Sequence, residues 1–245
     1  MAKTAAYLLV FHGSRDQRPE KAVSQLAELV AENLTIMGEN SPLVATASLE
    51  LATIPLHESI RQVALEAAKM GKQYLKILPL FLLPGVHVQE DIPAEVVLAV
   101  QSLGTQIKLE LLPYLGSHGG ITHLLAQQFS LLPSTEGKIL LAHGSRYPNA
   151  NLPIEKLAFQ LQTLAVYWSV SPSLTEKVTS LAASGTKKIA IVPYFLFQGG
   201  IIEAIAAQVT ELQSSFPQTQ LFLGQPLGAT TELANLVTSM LTISH

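Results

Sequence analysis

A chain of 245 residues, 48% hydrophobic and 13% charged, has the apolar material for one large core or for two of ~120 residues each. A net charge of −3 without any Lys/Arg cluster excludes the electrostatic footprint of a nucleic-acid binder. The absence of cysteine excludes disulfides, thiolate nucleophiles, iron–sulfur clusters and, save through Met, sulfur-ligated metals, so any metal must be held by nitrogen and oxygen. No apolar run approaches the ~18 residues of a membrane span, and Met1-Ala2-Lys3-Thr4 leads directly into a strand-like segment without signal-peptide architecture, so a cytoplasmic protein is expected.

Apolar runs of β type alternate with helical periodicity along the chain. AYLLVF (6–11) reads as a buried strand, 19–34 as an amphipathic helix opened by Pro19, and 42–50 as a second strand. A helix over 55–71, with Pro55 near its start and Gly71 as its stop, leads to a third strand over 74–83. The loop PGVHV (84–88), a helix over 89–102 and a strand over 107–115 follow. Continuous apolar strands joined by helices predict an α/β fold with a mainly parallel sheet covered by helices.

After the polar break 132–138 the order repeats. Strand 138–142, helix 151–164, short strand 165–170, helix 171–185, strand 187–197, helix 199–212, strand 220–224 and a last helix near 230–241 complete the chain. Three landmarks recur in the same order: HGSR at 12–15 and 143–146, a proline inside ILPLFLL and IVPYFLF, and LG at 115–116 and 227–228. Two duplicated domains are therefore expected, 1–134 and 135–245, the second shortened between its first and third strands.

Ligands of parallel α/β sheets bind beyond the carboxyl ends of the strands. His12 follows the first strand, Glu50 ends the second and His87 lies in the loop after the third, so the three converge on one rim. Two imidazoles and a carboxylate suit a borderline divalent ion such as Fe²⁺, Co²⁺, Ni²⁺ or Zn²⁺. Each also has a plainer role: HGS as a structural turn with a serine cap, Glu50 as a solvated strand-end carboxylate, His87 as a surface histidine. Alignment of the halves through their prolines sets Ile201 opposite His87 and Tyr167 opposite Glu50. The second half thus keeps the turn and loses two of three candidate ligands, which makes 1–134 the expected active half and 135–245 a degenerate repeat.

HGSR after the first strand, the glutamate of SLELATIPL and the stretch LPLFLLPGVHVQEDIPAE together resemble the class II tetrapyrrole chelatases, the sirohydrochlorin ferrochelatase and cobaltochelatase group in its long, duplicated form. The resemblance spans the chain, and the motif around His87 is its most specific part. It implies a metal chelatase of the lyase class in siroheme or cobalamin biosynthesis, with Fe²⁺ favoured over Co²⁺. It implies that His12 and His87 bind the incoming metal with Glu50 assisting, that a tetrapyrrole is held between the halves, and that no cofactor beyond the metal substrate is required. Ser14, Arg15, Ser145 and Arg146 are candidate substrate contacts, and internal duplication is consistent with a monomer.

Remaining polar residues carry less. Gln89, Glu90 and Asp91 lie near the rim, but acids in a first helical turn follow from the helix dipole alone. His118 and His123, five apart, would face different sides of a helix, and His57 and His245 sit at a helix start and at the terminus. Tyr167, Trp168 and Tyr194 suit either core packing or stacking on a macrocycle. Two other functions fit the turn: a non-enzymatic carrier of metal or tetrapyrrole, and a phosphoryl-transfer enzyme using His12 as nucleophile.

Overall fold

The computed structural model describes residues 4–104, 106–147 and 149–243; Met1-Ala2-Lys3 and His245, named above, lie outside the described residues. Strand β1 (Ala5–Phe11) is buried at every position, as its unbroken apolar run requires of a central parallel strand. Helix α1 (Gln17–Ile36) starts ahead of Pro19, because the Asp16 carboxylate accepts the Arg18 backbone N–H at 3.0 Å and caps it there. Pro19 then sits within the first turn, where its missing N–H has no intrahelical partner to lose. The helix buries Val23, Leu26, Ala27, Val30 and Leu34, one stripe at helical spacing.

Strand β2 (Val44–Ser48), helix α2 (Leu56–Lys69) and strand β3 (Tyr74–Pro79) follow. A wide π-helical turn (His87–Asp91) runs straight into helix α3 (Ile92–Leu103), and strand β4 (Lys108–Leu111) closes a parallel sheet of order β2-β1-β3-β4. The core between this sheet and its helices buries Leu8, Leu75 and Ile77 of the strands, Ile60 of α2 and Ile92 of α3 among others, each contributing about 1.5–3 kcal/mol by leaving water.

The second half follows the same order. Helix α4 (Gly120–Ser130) precedes β5 (Gly137–Ala142), α5 (Leu152–Gln160), β6 (Leu164–Tyr167), α6 (Leu174–Ala183), β7 (Lys188–Pro193), α7 (Gly200–Ser215), β8 (Gln220–Leu223) and α8 (Thr231–Thr242). The sheet order β6-β5-β7-β8 and its all-parallel pairing repeat those of the first. The expected fold, two small parallel sheets flanked by helices, is the one observed. Among the described residues no helix is long and apolar enough to cross a membrane.

Two details differ from the sequence reading. Pro79 and Pro193 end their strands rather than lying inside them: the next amides, Leu80 and Tyr194, still reach the Val10 and Leu141 carbonyls at 2.7 Å, and the chain then leaves the sheet. Residues 116–131 carried no assigned element, yet Ile121, Leu124, Leu125 and Phe129 of α4 form a buried helical stripe.

The packed units are also not divided where the repeat is. One unit comprises the residues up to His118 together with those from Ala229, and the other is Gly119–Gly228. Helix α8 therefore packs on the first sheet's unit: Asn33 Nδ2 on α1 donates to Asn235 Oδ1 at 3.0 Å and to Thr238 Oγ1 at 3.3 Å, and Lys76 Nζ on β3 donates to the Leu241 carbonyl at 2.7 Å. Helix α4, encoded at the end of the first repeat, belongs to the second unit.

Candidate metal site

The site is assembled by backbone before side chains matter. Beyond the last rung between β1 and β2, the Leu49 and Glu50 amides continue the ladder to the Phe11 and His12 carbonyls at 2.8 and 2.9 Å. That pairing fixes Glu50 beside His12. Gly13 makes it possible: its φ is +96°, and a Cβ there would lie 2.1 Å from the Glu50 carbonyl oxygen. The third residue, His87, opens the wide turn that follows β3 rather than lying in a loop.

His12, Glu50 and His87 each offer a ligand atom, and the three atoms lie within 4.8 Å of one another. The two imidazoles meet edge to face with centroids 4.8 Å apart. His87 Nε2 stands 3.9 Å from Glu50 Oε1, too far for a hydrogen bond and within the ~4.2 Å that two ligands each ~2.1 Å from one ion can span at most. The nearest approach of the His12 ring to Glu50 is also 3.9 Å, and all three side chains are partly open to solvent.

Hydrogen bonding bears on which nitrogens are available. The Gly13 carbonyl, 3.1 Å from His12 Nδ1, can only accept and so favours the tautomer with Nδ1 protonated, while that same nitrogen is the one 3.9 Å from Glu50 Oε2. His87 Nδ1 lies 2.7 Å from Asp91 Oδ2, and donation to that carboxylate leaves Nε2 of His87 free. Phe81, which the sequence reading passed over, places its ring 6.3 Å from His12 and 6.1 Å from His87. The Gly116 amide donates to the Phe81 carbonyl at 2.9 Å, and a Cβ on Gly116 would come 2.0 Å from the Leu82 carbonyl oxygen, which accounts for the glycine of the first LG.

The second sheet keeps the frame with different side chains. His143 Nδ1 donates to the Gly144 carbonyl at 3.0 Å, as His12 does to Gly13. The residue whose amide bonds the His143 carbonyl is Ser169, at 2.9 Å, and Tyr167 pairs with Ala142 inside the strand. Glu50 therefore corresponds to Ser169 and not to Tyr167. Glu50 stands five residues before Pro55 but Ser169 only three before Pro172, so counting back from proline slipped the alignment by two. Ile201 does stand at the position of His87, in the first turn of α7.

The other candidates have local partners. Ser14 Oγ accepts the Asp16 N–H at 3.0 Å, while Ser145 donates its own N–H to Asn151 Oδ1 at 2.9 Å and accepts the Tyr147 N–H at 3.2 Å. Arg15 and Arg146 are exposed on the same two turns. His57 gives both its backbone N–H and its Nδ1 to Glu95 Oε2, at 2.7 and 2.8 Å, outside the trio. His118 precedes α4 and His123 is exposed on it. Tyr167 and Tyr194 are core residues and Trp168 packs against that core. Burial first, and the Glu155 carboxylate second, push the Tyr167 phenol up to about 12.

Two four-stranded parallel sheets and, among the described residues, one His–Glu–His group at a strand-end rim define a duplicated α/β protein with nitrogen and oxygen groups that could hold a metal ion. The chain belongs to the CbiX family, whose model matches residues 6–131 and again 137–243. It is similar to the sirohydrochlorin ferrochelatase of Bacillus subtilis (strain 168), 23% identical over 228 residues that cover 88% of this chain and 83% of that one. It is also similar to the sirohydrochlorin cobaltochelatase of Priestia megaterium, 24% identical over 219 residues covering 83% and 68%. Among solved structures, SirB from Bacillus subtilis with Fe³⁺ superposes with a TM-score of 0.77 at 22% identity, over 97% of this chain and 94% of that one. At that identity the superposition establishes the shared fold.

Proposed function

We propose that this protein is a sirohydrochlorin chelatase, which inserts Fe²⁺, or alternatively Co²⁺, into sirohydrochlorin for siroheme or cobalamin biosynthesis in the cytoplasm. The observation that carries the reading is the convergence of His12, Glu50 and His87 within 4.8 Å at one rim of the first sheet. Family membership and the names of the similar proteins support it.

The reaction exchanges the divalent ion for two pyrrole N–H protons. An imidazole, imidazole and carboxylate set holds a borderline ion without thiolate, so the ion can be passed to the four nitrogens of the macrocycle. His87 presents its Nε2 lone pair and His12 one of its ring nitrogens to the ion, and Glu50 offsets part of its charge. As the ion transfers, the same three groups are vacated and become acceptors for the departing protons, imidazole being suited to this near neutral pH. The metal is substrate, and the chemistry calls for no resident cofactor. Arg15, exposed beside His12, is the nearest cation of that turn for a substrate carboxylate. Ser145 and Arg146, on the matching turn of the second sheet, enter no step of the metal chemistry. A phosphoryl-transfer role for His12 fits poorly, because the Glu50 carboxylate 3.9 Å away would repel a phosphate.

Anaerobic absorbance of sirohydrochlorin with Fe²⁺ or Co²⁺ tests the reading. Catalytic amounts of the protein should accelerate the spectral change of metallation. Tight, stoichiometric binding of metal or tetrapyrrole without turnover would instead establish a carrier.

A further inference from the structure

Asp91 is an acid in a first helical turn, and the helix dipole alone would explain its presence. The structure gives it another use. It makes no side-chain bond to the helix amides, and its carboxylate turns back to His87, with Oδ2 2.7 Å from Nδ1. The turn that carries both residues is itself unusual. The Ile92 amide donates to the His87 carbonyl five residues back, whereas the second half continues as regular α-helix from Gly200; one step earlier the halves still agree, Gln89 donating to Gly85 and Glu203 to Gly199, each four residues back.

Comparison of the two halves shows what the widening adds. From Pro79 to His87 and from Pro193 to Ile201 the spacing is the same, yet the next fully buried positions, Ile92 and Ile205, are out of step by one residue. The first half therefore carries one extra residue in the Gln89-Glu90-Asp91 stretch, between the histidine and the core, and the half without the histidine lacks it. Single π turns of this kind are insertions that re-aim side chains, often at functional sites.

We propose that the inserted turn exists to set Asp91 behind His87 as a positioning residue, holding the imidazole with Nδ1 protonated and Nε2 directed at Glu50. The two histidines are then unequal. His12 is oriented by a neutral carbonyl, and His87 by a carboxylate, which makes His87 the stronger donor to an ion and fixes its ring against rotation. Asp91 acts through His87 rather than on the substrate.

The proposal rests on the reading of His87 as a metal ligand, and a measurement on metal-free protein keeps the two separable. Long-range ¹H–¹⁵N correlation of the full chain labelled at histidine, with His87 assigned by its loss in His87→Gln, reports the tautomer directly. The wild type should show the Nδ1–H form, Asp91→Ala should move His87 toward Nε2–H, Asp91→Glu should restore the wild-type signal, and Glu90→Ala should leave it unchanged. Titration of the same proteins with Co²⁺ alone, followed by visible absorption, should show binding weakened ~10–100-fold in Asp91→Ala and unaltered in Glu90→Ala. A folded Asp91→Ala protein that keeps the Nδ1–H tautomer of His87 would overturn the positioning role. A shifted tautomer in a chain that never metallates sirohydrochlorin would uphold it and remove only the chelatase reading.

Discussion

Glu50 is held where it is by a backbone contact rather than by its side chain. Its amide bonds the His12 carbonyl at 2.9 Å, across a gap that only glycine at position 13 leaves open. Gly38 gives the control, since its φ is +94° but nothing lies within 4 Å of a Cβ placed there. Gly38→Ala should therefore cost only backbone strain, of order 1–2 kcal/mol, and leave Co²⁺ binding unchanged. Gly13→Ala carries that strain and also drives the Glu50 carbonyl away, so metal binding should fall with stability. Denaturant unfolding and Co²⁺ titration of the two variants check this; equal metal binding in both would show that the 13–50 contact does not set the site. His12, Glu50 and His87 were legible because each follows a recognisable apolar strand. The His87–Asp91 pair was not, because side-chain direction there depends on a turn whose winding departs from the regular helix that sequence spacing assumes.

The helices and strands follow local rules, and the failures have local causes. Continuous apolar runs and helical stripes located every strand and nearly every helix, but α4 went unassigned although its stripe at 121, 124, 125 and 129 carries helical spacing. The pairing of Glu50 with Tyr167 failed because it counted back from prolines across a connection that is two residues shorter in the second half; the hydrogen-bond ladder, which leads to Ser169, has no sequence signature. Helix α6 shows a local rule holding. Ser173 Oγ accepts the Glu176 N–H at 3.3 Å and Glu176 Oε2 accepts the Ser173 N–H at 2.6 Å, a reciprocal cap. Ser173→Ala should destabilise the protein by about 1 kcal/mol in denaturant unfolding while leaving metallation rates unchanged.

The repeat and the packed unit are different divisions of the same chain. Sequence similarity places α8 in the second copy, but its buried Leu233, Ala234, Val237 and Leu241 are assigned by packing to the unit of the first sheet. This was not legible in the sequence, since an apolar stripe states that a helix is buried and not against which sheet. Leu233→Ala, which empties a fully buried position, should cost about 2–5 kcal/mol. Hydrogen exchange should then quicken in β1–β4, with β5–β8 retaining their protection; the reverse pattern would assign α8 to the second sheet.

Among the described residues the duplication leaves one His–Glu–His group, and in the second half His143 keeps its bond to Gly144 while Ser169 and Ile201 stand where Glu50 and His87 do in the first. The decisive measurement is the anaerobic metallation of sirohydrochlorin by wild type, His12→Ala, His87→Ala and His143→Ala. The account predicts acceleration by wild type and by His143→Ala, and none by the other two. Activity that survives both His12→Ala and His87→Ala, or disappears in a folded His143→Ala protein, would contradict a single metal site on the first sheet.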